Sequence, residues 1–166
     1  MASTYSFDVT TGCDLQEVDN AVNQASKEVA QRFDFKGSHV LIDFQRAENK
    51  IKLEAEGEMR SDALLDVLRG KLIKRGVSVK NLDIGEAKPG SGEILRREIT
   101  LKMALDSETA KKVSASIKEA KLKKVTASIQ GEQVRVSSPD KDALQEAITL
   151  LKAGDFGVSL QFGNYR

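Results

Sequence analysis

Hydrophobic positions in the first half of the chain follow two different periods. Segments in which every second residue is apolar predict strands with one buried face, and apolar spacings of three and four predict amphipathic helices. The predicted strands cover 4–9, 40–44, 51–55 and 77–84, and the two predicted helices carry apolar residues from Leu15 to Phe33 and from Leu64 to Leu72. Asp14 and Ser61 are the expected helix caps. The predicted order is strand, helix, strand, strand, helix, strand.

The second half of the chain repeats this order after a stretch of linker composition, 87–92. Its predicted strands cover 95–105, 125–129, 134–136 and 158–162, and its helices carry apolar residues from Ala110 to Ala120 and from Leu144 to Leu151. Asp106 and Ser138 are the expected caps. Each half therefore has the order βαββαβ. This order predicts an α+β fold of two ferredoxin-like units, each an antiparallel sheet covered on one face by two helices.

The outward faces of the two predicted sheets are polar and charged. Five aromatic residues fall at core-facing positions, namely Tyr5, Phe7, Phe33, Phe44 and Phe162. Lysines, arginines, amides and hydroxyls fall at the alternate, outward positions. RNA-binding modules of this topology stack bases on outward aromatic residues, which this pattern lacks. It favours instead a surface that binds through hydrogen bonds and charge.

Few residues of the chain suit catalysis or metal binding. The chain has one histidine and one cysteine, so a cluster of His and Cys ligands and an internal disulfide are both excluded. His39 begins an apolar run, which is typical of the exposed end of a strand. Gly70-Lys71 is followed by leucine and does not complete a phosphate-binding loop. We predict no enzymatic activity, no metal and no cofactor.

The hydrophobic pattern also bears on membrane association. No apolar run reaches the ~18 residues that a membrane-spanning helix needs. The first residues lack the basic and apolar regions of a secretory signal. The expected location is the cytoplasm, with no membrane partner.

The net charge is only +1, but the bases are concentrated in two clusters. Five bases and no acid lie between Arg69 and Lys80, and six lysines with one acid lie between Lys111 and Lys124. Such clusters are typical of solvated helix faces, where bases complement the helix dipole. They are also typical of surfaces that contact phosphates. The charge pattern leaves both interpretations open.

Several segments with unusual mixtures of aromatic, amide and charged residues resemble the YajQ family of small bacterial proteins. The matching stretches are Ser6-Phe-Asp-Val9, Asp14-Leu-Gln-Glu-Val18, Arg32-Phe-Asp-Phe-Lys-Gly37, Leu72-Ile-Lys-Arg-Gly76, Ala120-Lys-Leu-Lys-Lys-Val125, Ile129-Gln-Gly-Glu-Gln-Val-Arg-Val136 and Phe162-Gly-Asn-Tyr-Arg166. They occur in order along essentially the whole chain. Two departures, Gly163 and the pair Ser138-Pro139, each replace a position where the family commonly has a base.

The resemblance implies a duplicated ferredoxin-like fold whose two units exchange their first strands. Strand 4–9 then joins the second unit, and the long strand 95–105 joins the first. The implied domains are 1–12 plus 106–166, and 13–105. This agrees with the duplication that the hydrophobic pattern predicts.

The resemblance also implies a nucleotide-binding protein without enzymatic activity. Some members of the family bind nucleic acid such as tRNA, and others are effectors of cyclic di-GMP. We therefore expect a cytoplasmic protein that binds cyclic di-GMP or an RNA. The alternative is a protein–protein adaptor that acts on a transcription regulator without a nucleotide ligand. The expected binding residues, bases for phosphates and amides for base or ribose edges, are Arg32, Lys36, Arg96, Lys102, Lys121, Lys123, Gln130, Gln133, Arg135, Asn164 and Arg166.

Overall fold

The alternating segments of the sequence form two antiparallel sheets in the computed structural model, which describes residues 4–166. The strands are β1 (Tyr5–Thr10), β2 (Val40–Gln45), β3 (Lys50–Glu56), β4 (Leu82–Ile84), β5 (Lys88–Pro89), β6 (Ile94–Leu101), β7 (Thr126–Gln130), β8 (Gln133–Ser138) and β9 (Gln161–Gly163). The helices are α1 (Leu15–Gln31), α2 (Gly57–Lys74), α3 (Ser107–Glu119) and α4 (Lys141–Ala153). The predicted α+β class, with an order of elements that fits two ferredoxin-like units, is confirmed.

The chain divides into two compact units. The β1 unit runs up to Gly12 and resumes with Met103–Arg166, and the β6 unit is the continuous segment Cys13–Lys102. The β1 sheet has the strand order β7-β8-β1-β9, and the β6 sheet has the order β2-β3-β6-β4, with β5 beside β6. Each sheet thus has a first strand of one sequence repeat paired with strands of the other repeat. This is the pairing expected when two repeats exchange their first strands.

Both exchanged strands lie in the interior of their sheets, and their apolar residues are part of the cores. In the β1 unit, Phe7 and Val9 are fully buried with Val134 and Val136 of β8, and they pack on apolar residues of α3 and α4. In the β6 unit, Ile99 of β6 is fully buried, as are leucines along α2. The strand residues that alternate with these core residues form the opposite face of each sheet. We call these the polar face of the β1 sheet and the polar face of the β6 sheet.

Two of the four expected helix caps are wrong. Asp14 and Asp106 do cap α1 and α3, since their carboxylates accept backbone N–H groups of the first turn. Helix α2, however, begins at Gly57, four residues before Ser61, which is buried inside the helix. Helix α4 is capped by Asp140. The Ser138 hydroxyl accepts the N–H of Asp140 at 3.1 Å and so shapes the turn before the helix.

Three predicted strands are shorter in the structure. The strand expected over 95–105 ends at Leu101, and residues from Met103 onward group with the β1 unit. The strand expected over 77–84 contains only Leu82–Ile84, because Val79–Asn81 forms a 3-10 turn. The strand expected over 158–162 is Gln161–Gly163. Conversely, part of the predicted linker is ordered, since Lys88–Pro89 pairs with β6.

The core-facing position expected for Phe33 is wrong. Helix α1 ends at Gln31, so its periodicity no longer governs the next residues, which form a 3-10 turn over Phe33–Phe35. That turn buries Phe35, which is 4% exposed, and leaves Phe33 89% exposed.

None of the helices in the part of the chain that the structure describes is long and apolar enough to cross a membrane.

Candidate functional site

The residues expected to bind a ligand are divided between the two units. Seven belong to the β1 unit, namely Lys121, Lys123, Gln130, Gln133, Arg135, Asn164 and Arg166. Four belong to the β6 unit, namely Arg32, Lys36, Arg96 and Lys102. The strand register brings the amides and Arg135 of the β1 unit to one face of one sheet. The four residues of the β6 unit lie on different elements.

The polar face of the β1 sheet consists of three rows that cross its strands. The first row contains hydroxyls, because Ser137 pairs with both Thr126 and Ser6. The middle row contains Ser128, Arg135 and Asp8, which face one another across β7, β8 and β1. The third row is rich in amides, since Gln130 pairs with Gln133 and Thr10 pairs with Gln161. Side chains at such paired positions stand about 5 Å apart, so these groups form a continuous hydrogen-bonding surface.

The centre of this face is a buried carboxylate with three side-chain donors. Asp8 is 4% exposed. Arg135 donates from Nε to Oδ1 at 2.9 Å and from Nη2 to Oδ2 at 3.4 Å. Asn164 donates from Nδ2 to Oδ2 at 2.6 Å, and Gln133 donates from Nε2 to the same oxygen at 3.4 Å. A buried carboxylate with a guanidinium and two amides has the partners that its burial requires.

Asn164 reaches Asp8 because the chain forms a bulge there. Gly163 lies opposite Asp8, and Arg166 exchanges two backbone hydrogen bonds with Ser6 at 3.0 and 3.2 Å. Two residues of the last segment therefore oppose the single residue between Ser6 and Asp8, which defines a β-bulge. Asn164 adopts the left-handed conformation with φ 52°, which asparagine tolerates better than most residues. The bulge turns its amide towards the carboxylate.

Hydrogen bonding holds the charges of this cluster in place. The Arg135 guanidinium, helped by the Asn164 amide and by the charge of Arg166, holds the pKa of Asp8 below its usual value despite burial. The pKa of Arg135 is raised in turn by the bond to Asp8. Asp8 receives two of the five N–H donors of the guanidinium. Arg135 is thus a fixed donor group whose charge is balanced, and its side chain remains 28% exposed.

The other three bases of the β1 unit that were expected to bind a ligand lie at the border of this face. Lys121 and Lys123 are exposed in the loop between α3 and β7, just before Thr126 begins the hydroxyl row. Arg166 is exposed opposite Ser6, at the other end of the same row. At the amide row, Gln130 and Gln133 line a cavity of about 340 Å³ together with Thr10 and Glu132. Exposed cations and a polar cavity therefore lie at opposite ends of the strands.

The four expected residues of the β6 unit have different surroundings. Arg32 forms a two-pronged ion pair with Asp34, at 2.7 and 3.0 Å, and Arg96 contacts Glu54 at 3.2 Å. Lys36 is exposed in the turn after α1, beside a cavity of about 290 Å³. Lys102 follows β6, where its backbone N–H donates to the Asn81 carbonyl at 2.8 Å and its carbonyl accepts from Asn81 Nδ2 at 2.9 Å. Arg32 and Arg96 already have carboxylate partners, with which a phosphate would have to compete.

Sequence reasoning missed Asp8, the residue on which the cluster centres. It is an outward position of an alternating strand, which by itself predicts a solvated carboxylate. Its burial depends on Arg135 and Asn164, which lie more than a hundred residues away in the sequence. The interior position of β1, which the sheet order shows, is what distinguishes Asp8 from a solvated carboxylate.

The described residues offer little to metal or thiol chemistry. Within residues 4–166, no three His, Cys, Asp or Glu side chains are grouped so that they could hold a metal ion. The His39 ring lies 3.3 Å from a carboxylate oxygen of Glu54 on the polar face of the β6 sheet. Burial raises the pKa of the Cys13 thiol, which disfavours the reactive thiolate.

Comparison with known proteins places this chain in a family. The family model described as "Nucleotide-binding protein YajQ-like" matches residues 5–166. The chain belongs to the YajQ family. The predicted resemblance is confirmed, and the matched range includes both β1 and the bulged segment at Asn164, which together form the Asp8 cluster.

Individual relatives of the YajQ family are similar over the whole chain. Proteins named "Nucleotide-binding protein" from Chloroherpeton thalassium and Thermobifida fusca are 46% and 49% identical over 166 residues, which is all of both chains in each pair. A protein of the same name from Solibacter usitatus is 46% identical over 161 residues, covering 97% of this chain and 96% of its own length.

Proposed function

We propose that this chain is a non-enzymatic cytoplasmic protein that binds a phosphate-bearing nucleotide, cyclic di-GMP or an RNA such as tRNA, on the polar face of the β1 sheet. One observation carries the proposal: three rows of hydroxyl, amide and guanidinium groups cover that face, around a carboxylate that fixes the guanidinium. The names of the full-length relatives support the same ligand class.

The chemistry of these groups suits the parts of a nucleotide. A glutamine amide has both donors and acceptors, so Gln130 and Gln133 can pair with the edge of a base or with a ribose hydroxyl. Phosphate oxygens are best bound by cations, which Lys121, Lys123 and Arg166 supply at the border of the face. The cavity beside the amide row gives a base room to approach the two glutamines.

The Asp8–Arg135 pair prepares the face for binding. A free arginine would have to lose water and side-chain freedom before it could donate to a ligand. Asp8 and Asn164 hold this cluster in one arrangement before any ligand arrives. Preorganised donors of this kind favour binding by removing part of the ordering cost.

The balance of charge on this face favours the smaller ligand. RNA affinity arises largely from many phosphate contacts, and it falls steeply with salt as counterions are released. Arg135 is neutralised by Asp8, so phosphates on this face are left to a few border cations. Cyclic di-GMP carries two phosphates, which a few border cations can match. We therefore expect tighter binding of the dinucleotide than of tRNA, with a modest salt dependence.

A second candidate function is the adaptor for a transcription regulator. Phe33 and Met59 are 89% and 86% exposed, although both are large and apolar. Arg60 Nε donates to the Asp34 carbonyl at 3.0 Å, which holds the start of α2 against the turn that carries Phe33. Exposed apolar residues of this kind are used at protein–protein contacts. The adaptor function rests on this surface of the β6 unit.

Calorimetric titration of the purified protein with cyclic di-GMP and with tRNA tests the proposed function. The variant Gln130→Ala with Gln133→Ala should weaken binding of the dinucleotide by roughly tenfold, the scale of about two lost hydrogen bonds. Gln31→Ala is the matched control, since Gln31 is an exposed glutamine at the end of α1 in the other unit. Its affinity should equal that of the parent protein.

The outcomes separate the alternatives. Equal losses in the glutamine variant and the Gln31 control would remove the polar face of the β1 sheet as the site. Tighter binding of tRNA with a steep salt slope would make RNA the ligand. No binding of either nucleotide by the parent would leave the adaptor as the function to pursue, with Phe33→Ser as its first variant.

A further inference from the structure

A second cavity in the β1 unit lies beside α4 and the last residues of the chain. Its volume is about 190 Å³, and it is separate from the cavity at the amide row. Phe7, Leu144 and Ile148, all buried, give it an apolar lining. A space of this size holds one ring system rather than a whole dinucleotide, because sites for larger ligands start at roughly 300 Å³.

Both tyrosines of the chain line this cavity. Tyr165 is 64% exposed, and its ring centre lies 6.3 Å from that of Phe7 with the planes tilted by 44°. The ring of Tyr5 carries the Lys141 ammonium 4.7 Å from its centre. An exposed aromatic ring next to an apolar lining, as Tyr165 is here, is a group on which a flat heterocycle stacks.

The rim of the cavity is cationic and polar. Lys141, Arg166 and Gln145 contribute a primary ammonium, a guanidinium and an amide. Ser6 and Arg166 line the cavity and also stand opposite each other at the end of the hydroxyl row. Because Phe7, Leu144 and Ile148 are core residues, the cavity lies on the helix-covered side of the β1 sheet, and Ser6 and Arg166 mark the end of the hydroxyl row that is nearest to it.

We propose that this cavity binds one base of the nucleotide by stacking on the Tyr165 ring, with a phosphate held by Lys141 and Arg166. The inference rests on the proposed function and deepens it, because it adds a base-stacking site on the helix-covered side of the same sheet, whose polar face has no aromatic side chain. A base in the cavity has the Lys141 ammonium and the Arg166 guanidinium within reach of its phosphate, because both residues line the cavity.

The amino-acid composition offers a direct test of this cavity. The chain has two tyrosines and no tryptophan, so biosynthetic labelling with 3-fluorotyrosine places both fluorine probes in the cavity. Titration with guanosine 5′-monophosphate and with cyclic di-GMP should shift both fluorine resonances. The midpoint of the shift should equal the dissociation constant from calorimetry. The variant Tyr165→Phe assigns the two resonances.

Two lysines of α4 provide a matched pair of variants. Lys141→Ala should weaken binding of cyclic di-GMP at least fivefold. Lys152→Ala should leave it unchanged within twofold, although Lys152 also stands over an aromatic ring, at 5.8 Å from the centre of Phe162. Both lysines are exposed, so both variants should melt like the parent.

The outcomes distinguish failure of the cavity from failure of the proposed function. Calorimetric binding with unmoved fluorine resonances would overturn the cavity site and leave the polar face of the β1 sheet as the whole site. Shifts of equal size with inorganic phosphate would also overturn the base assignment, since they would show an anion on the rim only. Absence of both heat and shifts would overturn the inference together with the proposed function.

Discussion

The two sheets share a strand arrangement and a pair of helices on one face, but their polar faces are built differently. On the β6 sheet, opposite charges alternate across the strands, as where Lys52 stands between Asp43 and Glu98, and Glu54 stands beside Arg96. On the β1 sheet, one carboxylate is buried under donors, and most of the other groups are uncharged hydroxyls and amides. The first face satisfies its charges with one another, and the second leaves hydrogen-bonding capacity for a ligand.

The units also differ in how the chain builds them. The β6 unit is one continuous segment, whereas the β1 unit needs β1 from one end of the sequence and β7 to β9 from the other. The same strand order is therefore formed by one continuous segment in the β6 unit and by two distant segments in the β1 unit. Each difference can be tested by a change made to one unit and its counterpart made to the other.

The largest expected effect on folding comes from expressing fragments of the chain. We propose that the fragment 13–102 unfolds cooperatively, because it contains every strand of the β6 sheet. Fragment 1–89 lacks β6, which leaves the edge of β3 unpaired and its core open, and it should aggregate or remain unfolded. Circular dichroism during thermal melting measures both. A cooperative transition in fragment 1–89 would show that β6 is not required and would contradict the split.

A smaller effect is expected from removing one carboxylate on each polar face. Asp8→Ala leaves Arg135 and Asn164 without their buried acceptor, and it should lower the free energy of unfolding by about 2 kcal/mol. Glu54→Ala is the counterpart on β3, where the partner Arg96 is exposed, and it should cost about 0.5 kcal/mol. Urea denaturation measures both. Equal losses would mean that the Asp8 cluster is an ordinary surface ion pair.

The pH dependence of stability sharpens the same comparison. The pKa of folded Asp8 lies below the ordinary value of 3.8, so its stabilisation is complete above that value and is lost as pH falls through the folded pKa. The stability difference between the parent and Asp8→Ala should shrink as the medium is acidified from about pH 7 to about pH 3.

Asp34 provides the control for this titration. Arg32 lowers its pKa too, but both side chains are largely exposed and screened by solvent. Asp34→Ala should therefore show a much smaller change over the same range of pH. An Asp8 difference that stays constant on acidification would mean that the cluster stabilises by packing and not by charge.

The hydrophobic pattern predicted what is local and missed what depends on distant partners. Alternation placed β1, β3 and β8 correctly because each strand buries one face whatever its neighbours are. Phe35 is buried in place of Phe33 because a 3-10 turn follows the end of α1. Apolar periodicity does not determine the last residue of a helix to within one position.

The sequence predicted the hydrogen-bond donors of the candidate site but not the carboxylate at its centre. Gln130, Gln133 and Arg135 occupy outward positions around one turn, which local alternation shows. Asp8 joins them only through the register between β1 and β8, and Asn164 only through a bulge. Neither feature leaves a signal within its own stretch of sequence, because both are set by pairing over more than a hundred residues.

The interior position of β1 has a consequence for synthesis on the ribosome. Thr10 is made more than a hundred residues before Gln133, so β1 waits on the order of ten seconds for its partner strands at usual elongation rates. The β6 sheet can close once Leu101 has left the exit tunnel, while Phe7 and Val9 still expose apolar surface and unpaired backbone groups. During this interval the nascent chain exposes an unpaired apolar strand, a state that favours aggregation until β8 and β9 have been made.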